Sequence, residues 1–151
     1  MLDNPRTMPE EARAPDLAER WERAVEAFNT GDFDLAASFY APDALFYPRA
    51  AVGVLEGRQA IRSFLEDWFG TYEELTFGEI KEFRDLGNGV TFSVLSQRGR
   101  LADTAGWMHD RFALVVTWAD GLIEKQMNFE NADDARAAAE HLAQERDHGS
   151  D

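Results

Sequence analysis

The stretch Trp107–Leu142, WMHDRFALVVTW then ADG then LIEKQMNFE then NADDARAAAEHL, decides the fold. It reads as a strand, a tight turn, a second strand, and a helix that begins as the second strand ends. Side chains alternate across a strand, so within Trp107–Trp118 the even positions Met108, Asp110, Phe112, Leu114, Val116 and Trp118 form a large apolar face. The odd positions, Trp107, His109, Arg111, Ala113, Val115 and Thr117, form a smaller and more polar one. Asp110 is the exception on the apolar side. Asp120-Gly121 suits the positive backbone angles of a hairpin turn. A two-residue connection pairs Ala119 with Leu122 and puts Ile123, Met127 and Phe129 beside Phe112 and Leu114, with Lys125 out of keeping. A three-residue turn with a bulge turns Gln126 and Asn128 inward instead.

The preceding strand, Gly89–Gly99, carries Val90, Phe92 and Val94 on one face, followed there by Ser96 and Arg98. If it closes on the hairpin at matching parity, Ser96 sits across from Asp110 and Arg98 lies diagonal to it. An acid, a hydroxyl and a guanidinium then converge where an apolar face ends.

Upstream, residues 1–15 hold prolines at 5, 9 and 15 and no periodicity, the pattern of a flexible arm. One domain is expected over 16–146, with a frayed tail at 147–151. Asp16 caps a helix, with Glu19 completing a capping box, and Leu17, Trp21, Ala24, Val25 and Phe28 form its stripe up to Gly31. Asp32 caps a short second helix with Phe33, Ala36, Ala37 and Tyr40 inward, stopped by Pro42. Ala44–Pro48 reads as a short strand, and Ile61, Phe64, Leu65, Trp68 and Phe69 mark a third amphipathic helix after Gly57. A strand over Leu75–Leu86 turns at Gly87-Asn88-Gly89. Asn131 caps the last helix, whose inner face is mostly alanine plus Leu142.

Composition bounds the chemistry. A chain of 151 residues fits one domain that buries roughly 70% of its unfolded surface. It has no cysteine, which excludes disulfides and thiolate metal sites. No apolar run approaches the roughly 20 residues of a membrane span, and the N-terminus lacks signal-peptide character, so a cytoplasmic protein without membrane association is expected. The net charge of −14, from 29 acids against 15 Lys and Arg, repels phosphate backbones and argues against nucleic acid as a partner. No spacing of His with Asp or Glu suggests a metal.

Helices, a short strand, another helix, then long antiparallel strands and a closing helix make an α+β order, with helices packed on one curved sheet. Over about residues 17–142 the chain resembles the SnoaL-like group of the nuclear transport factor 2-like superfamily, with its polyketide cyclases, ketosteroid isomerases and limonene-epoxide hydrolases. The resemblance rests on FNTGDFDLAASFYAPDALF, LEGRQAIRSFLEDWF, and the RFALVVTWADGLI hairpin with FENADDARAAAE behind it. It implies a cone-shaped antiparallel sheet that encloses an apolar pocket with the helices, a cystatin-like α+β fold, and a homodimer through the convex face.

The resemblance does not carry the ketosteroid isomerase residues. Their aspartate base falls on Pro48 or Arg49, their tyrosine on Ala24, and their second acid near Leu114. The Asp and Arg set of the limonene-epoxide hydrolases is loosely echoed by Asp110 and Arg98, without a second aspartate.

Two functions follow as expectations. In the first, a small hydrophobic molecule is isomerised, cyclised or hydrolysed without a cofactor, with Asp110 as general acid or base and Arg98 orienting it. Its pocket is lined by Trp21, Tyr40, Phe46, Trp68, Phe92, Ser96, Phe112, Leu114, Met127 and Phe129. The competing reading of Asp110 is a strand-end salt bridge to Arg98 or Arg111. The second function is a non-catalytic ligand-binding or dimerisation domain. An open cavity of about 300 Å3 or more with Asp110 projecting into it favours the enzyme, and a filled interior favours the binding domain.

Overall fold

The computed structural model describes residues 16–48, 53–101 and 106–149, so the arm expected at 1–15 lies outside it. Asp16 accepts the Glu19 N–H at 3.2 Å and starts α1 (Leu17–Asn29). The Glu19 carboxylate turns to Arg23 at 3.1 Å instead of closing a reciprocal box. Asp32 caps α2 (Phe33–Ser38) in the same way through Leu35.

The first strand, β1 (Tyr40–Tyr47), begins earlier than the sequence suggests and contains Pro42. Its pairing with the last strand shifts between Tyr40 and Leu45, so proline falls in an irregular stretch where its missing N–H breaks no ladder. There follow β2 (Leu55–Glu56), α3 (Arg58–Thr71), β3 (Tyr72–Gly87), β4 (Val90–Leu101), β5 (Met108–Ala119), β6 (Leu122–Phe129) and α4 (Ala132–Gly149). Asn131 Oδ1 accepts the N–H groups of Asp133 and Asp134 at 2.8 and 3.1 Å, which caps α4.

The strands form one curved, unclosed sheet in the order β2-β1-β6-β5-β4-β3. Neighbours are antiparallel except β1 and β6, which run parallel and make the sheet mixed. Helices α1–α3 cover one face, here the inner one, over a core that includes Phe28, Phe46, Ile61, Phe112 and Trp118. The outer face is covered by α4, whose Ala135, Ala139 and Ala143 lie against Val90, Phe92, Val94, Ala113 and Val115.

Register corrects two expectations of parity. Gln97 pairs with Asp110 and Phe92 with Val115, so odd residues of β4 face even residues of β5. The inner row of β4 is therefore Thr91, Ser93, Leu95 and Gln97, while Phe92, Ser96 and Arg98 stand outside. Apolar alternation reports that a face is buried, not against what. Here Val90, Phe92 and Val94 answer to the alanines of α4.

The β5–β6 turn is the two-residue kind, with Asp120 and Gly121 at φ 54° and 78° and Ala119 opposite Leu122. The next pair is Trp118 with Ile123, but Thr117 then pairs with Lys125, which leaves Glu124 as an extra residue in a bulge. Beyond it every side chain of β6 changes face. Met127 and Phe129 go outward to the α4 cluster, and Gln126 and Asn128 turn inward.

Candidate functional site

Between α1–α3 and the inner sheet face lies a cavity of about 30 Å3. That is room for about two water molecules, at roughly 10–15 Å3 of cavity each. Of the residues expected to line a pocket, Trp21, Tyr40, Phe46, Trp68, Phe112 and Leu114 do so. Phe92, Ser96, Met127 and Phe129 do not, for the reasons of register given above. The amphipathic spacing of α1 and α3 brings Trp21 and Trp68 in, and alternation along β5 brings Phe112 and Leu114. Tilted aromatic contacts close the walls: Trp68 lies 5.6 Å from Phe28 and 6.3 Å from Phe112, ring centre to ring centre.

One wall is polar. The Tyr40 hydroxyl donates to Gln126 Oε1 at 2.6 Å, and Gln126 Nε2 donates to Asn128 Oδ1 at 3.1 Å. Burial pushes the Tyr40 phenol above its usual range, so it stays a neutral donor. This chain consumes both acceptors and leaves the Asn128 amide nitrogen as the terminal donor. On α1, the Trp21 indole N–H is buried with no hydrogen-bond partner among the described residues. A buried orphan donor costs about 1–3 kcal/mol, so it is a group that a ligand acceptor or a water relieves. The contrast is Trp118, whose indole N–H donates to Thr91 Oγ1 at 2.9 Å.

Gln126 and Asn128 were reachable from the sequence only through the bulged alternative. The misfit of Lys125 on an apolar face was the signal for it, since the bulge moves Lys125 outward opposite Thr117.

Asp110 stands on the inner face one pleat beyond Phe112 and is half-buried, and it is not among the residues lining the cavity. Its Oδ1 accepts the Arg111 N–H at 2.8 Å, and its Oδ2 faces Gln97 Nε2 at 3.5 Å. Gln97 is 4% exposed, and its Oε1 has no partner among the described residues. Arg98 is not brought to Asp110. It lies on the other face, opposite His109, with its guanidinium 4.0 Å from the centre of the Trp107 ring. The expected convergence of acid, hydroxyl and guanidinium is replaced by a carboxylate beside a buried amide.

The cavity presents groups suited to recognition. Its walls are aromatic and aliphatic, its donors are neutral, and none of its lining residues is an acid, an amine or an imidazole. Among the described residues no three His, Asp or Glu side chains gather as metal ligands, and no helix is long and apolar enough to cross a membrane.

The profile of the SnoaL-like domain matches residues 21–126. No curated protein matches the sequence. Among solved structures, a Catenulispora acidiphila protein with a ketosteroid isomerase-like fold, in complex with trimethylamine, superposes with a TM-score of 0.68 at 12% identity, over 84% of this chain and 94% of that one. A candidate SnoaL-like polyketide cyclase from Shewanella putrefaciens gives 0.62 at 11% identity, over 86% and 99%. A candidate isomerase from Bacillus subtilis gives 0.67 at 17% identity, over 80% and 92%.

Proposed function

The chain belongs to the SnoaL-like domain family, and on that footing we propose that it binds a compact, mostly apolar molecule bearing one hydrogen-bond acceptor in the inner cavity. The observation that carries this reading is the unpartnered Trp21 indole N–H in a wall that also holds the Tyr40–Gln126–Asn128 chain. Volume limits the occupant to a few non-hydrogen atoms, because a cavity several times larger, about 150 Å3, is what takes up benzene. The Catenulispora neighbour, which holds trimethylamine, supports an occupant of that size in this fold.

Titration with acetone, followed by the indole N–H resonances in two-dimensional NMR, tests it. A saturable shift of the Trp21 resonance is expected, and isosteric isobutene, which lacks the acceptor, produces a weaker one. No saturable shift with acetone, or equal responses to both, overturns the reading.

A second reading, turnover of the bound molecule by isomerisation, cyclisation or hydrolysis, is favoured by the place of Asp110 on the same face one pleat beyond Phe112. Asp110→Asn then abolishes turnover of an identified substrate while sparing its binding. Unchanged turnover removes Asp110 from the reaction.

A further inference from the structure

Most of the described arginines of this acidic chain are matched. Arg23, Arg62, Arg84, Arg136 and Arg146 pair with carboxylates, and Arg20 and Arg58 donate to backbone carbonyls. The guanidiniums of Arg98 and Arg111, by contrast, have no hydrogen-bonded acceptor among the described residues. Both are exposed, in a chain with 29 acidic side chains available to pair with them.

Register brings these two together. Ser96 pairs with Arg111 and Arg98 with His109, so the four side chains form a square on the outer face of β4 and β5. Neighbouring corners lie roughly 5 Å apart across the strands and about 7 Å apart along them. The square is clear of α4, which packs further along the same strands on Phe92, Val94 and Ala113. At its margin stands Trp107, 41% exposed and stacked beneath Arg98.

We propose that this square docks a short, carboxylate-rich segment of a partner protein. Two guanidiniums with unspent donors match carboxylates in the forked geometry that arginine favours. The Ser96 hydroxyl and the His109 ring add further hydrogen-bonding groups between them. Stacking on an indole holds the Arg98 plane in place and leaves its edges to donate. Two adjacent strands present an open platform, which suits an extended segment and offers a small molecule no enclosure. The net charge of −14 sets a long-range penalty on a polyanion such as nucleic acid, whereas a short acidic segment meets chiefly the local positive charge.

Fluorescence anisotropy with fluorescein-labelled hexaglutamate at low salt tests the proposal on the full chain. Binding is expected, weakening as salt rises. The R98Q/R111Q variant is expected to bind about tenfold more weakly, the effect of losing two exposed charge pairs. R23Q, which removes an exposed arginine elsewhere, leaves the affinity unchanged. Should the double variant fail to fold, R98K/R111K keeps the charge and removes the fork, and weaker binding is again expected. Absence of binding, equal affinity in the double variant or, where that does not fold, in R98K/R111K, or displacement by hexathymidylate as effective as by unlabelled hexaglutamate overturns it.

Discussion

The two faces of the sheet are buried by different means. On the outer face α4 offers little beyond alanine, and Ala135 and Ala139 close onto Val90, Phe92 and Val115 until none of the five is measurably exposed. On the inner face three helices contribute large rings, and the sheet answers with Thr91, Ser93, Gln97 and Gln126, polar side chains all buried to 4% exposure or less. Small residues allow a helix to approach closely and leave no gap. Rings meeting edge to face leave one, and two orphaned polar atoms, Trp21 Nε1 and Gln97 Oε1, stand on that side. The outer face is built for cohesion, and the inner face gives up some cohesion to keep a space with donors in its wall.

That contrast can be broken by substitution. Phe92→Ala, in the outer core, is expected to cost about 3–5 kcal/mol in urea unfolding while the Trp21 response to acetone survives. A lost response in the folded variant would mean that the faces are not independent. Ala139→Leu overpacks the α4 contact at about 1–3 kcal/mol. The matching inner change, Ala24→Val, extends into the cavity, so it is expected to stay within about 1 kcal/mol of the parent and to suppress acetone uptake. Equal destabilisation by the two would remove the distinction between a closed face and an open one.

Tyr40→Phe removes the first link of the inner hydrogen-bond chain and strands Gln126 Oε1, at about 1–2 kcal/mol near neutral pH. The same residue gives a pH signature. Its phenol titrates above its usual range when folded and near pH 10 when unfolded, so its contribution is complete below about pH 10. As pH rises from there toward the folded value, the unfolded state releases the proton first and stability falls. Chemical denaturation across that window is expected to show a shallower decline in Tyr40→Phe than in the parent. The smallest effect belongs to the outer layer: Asn131→Ala uncaps α4 for about 1 kcal/mol and leaves the cavity response intact.

Much of this was legible before any coordinates. Asp16, Asp32 and Asn131 announced three helix starts, and Asp120-Gly121 the hairpin, because caps and tight turns depend on the local chain alone. Trp21, Phe46, Trp68, Phe112 and Leu114 were legible as inward residues for the same reason, each fixed by the period of its own element, whereas Tyr40, read as part of the second helix, reaches the cavity from β1. Strand β4 was not. The sheet is covered on both sides, so the greasier row, Val90, Phe92 and Val94, could be assigned to either cover, and which one depends on register with β5. Arg98 and Ser96 left the site with that row. Gln126 and Asn128 depended on a local irregularity whose only trace was a lysine in the wrong place.

The extra residue at Glu124 has a consequence for how such a protein diverges. The polar end of the chamber is set by the bulge as well as by the identity of the residues beyond it. Were Glu124 to take a regular place opposite Thr117, Lys125 would turn toward the rings and both amides would go to the far side, exchanging the roles of a whole strand in one step. Deleting the position would instead leave Lys125 opposite Thr117 in a regular ladder with both amides still inside, so the chamber is replaced by losing the bulge and not by losing a residue. Relatives of the same length in which this short segment pairs without a bulge are where different ligand preferences are to be sought.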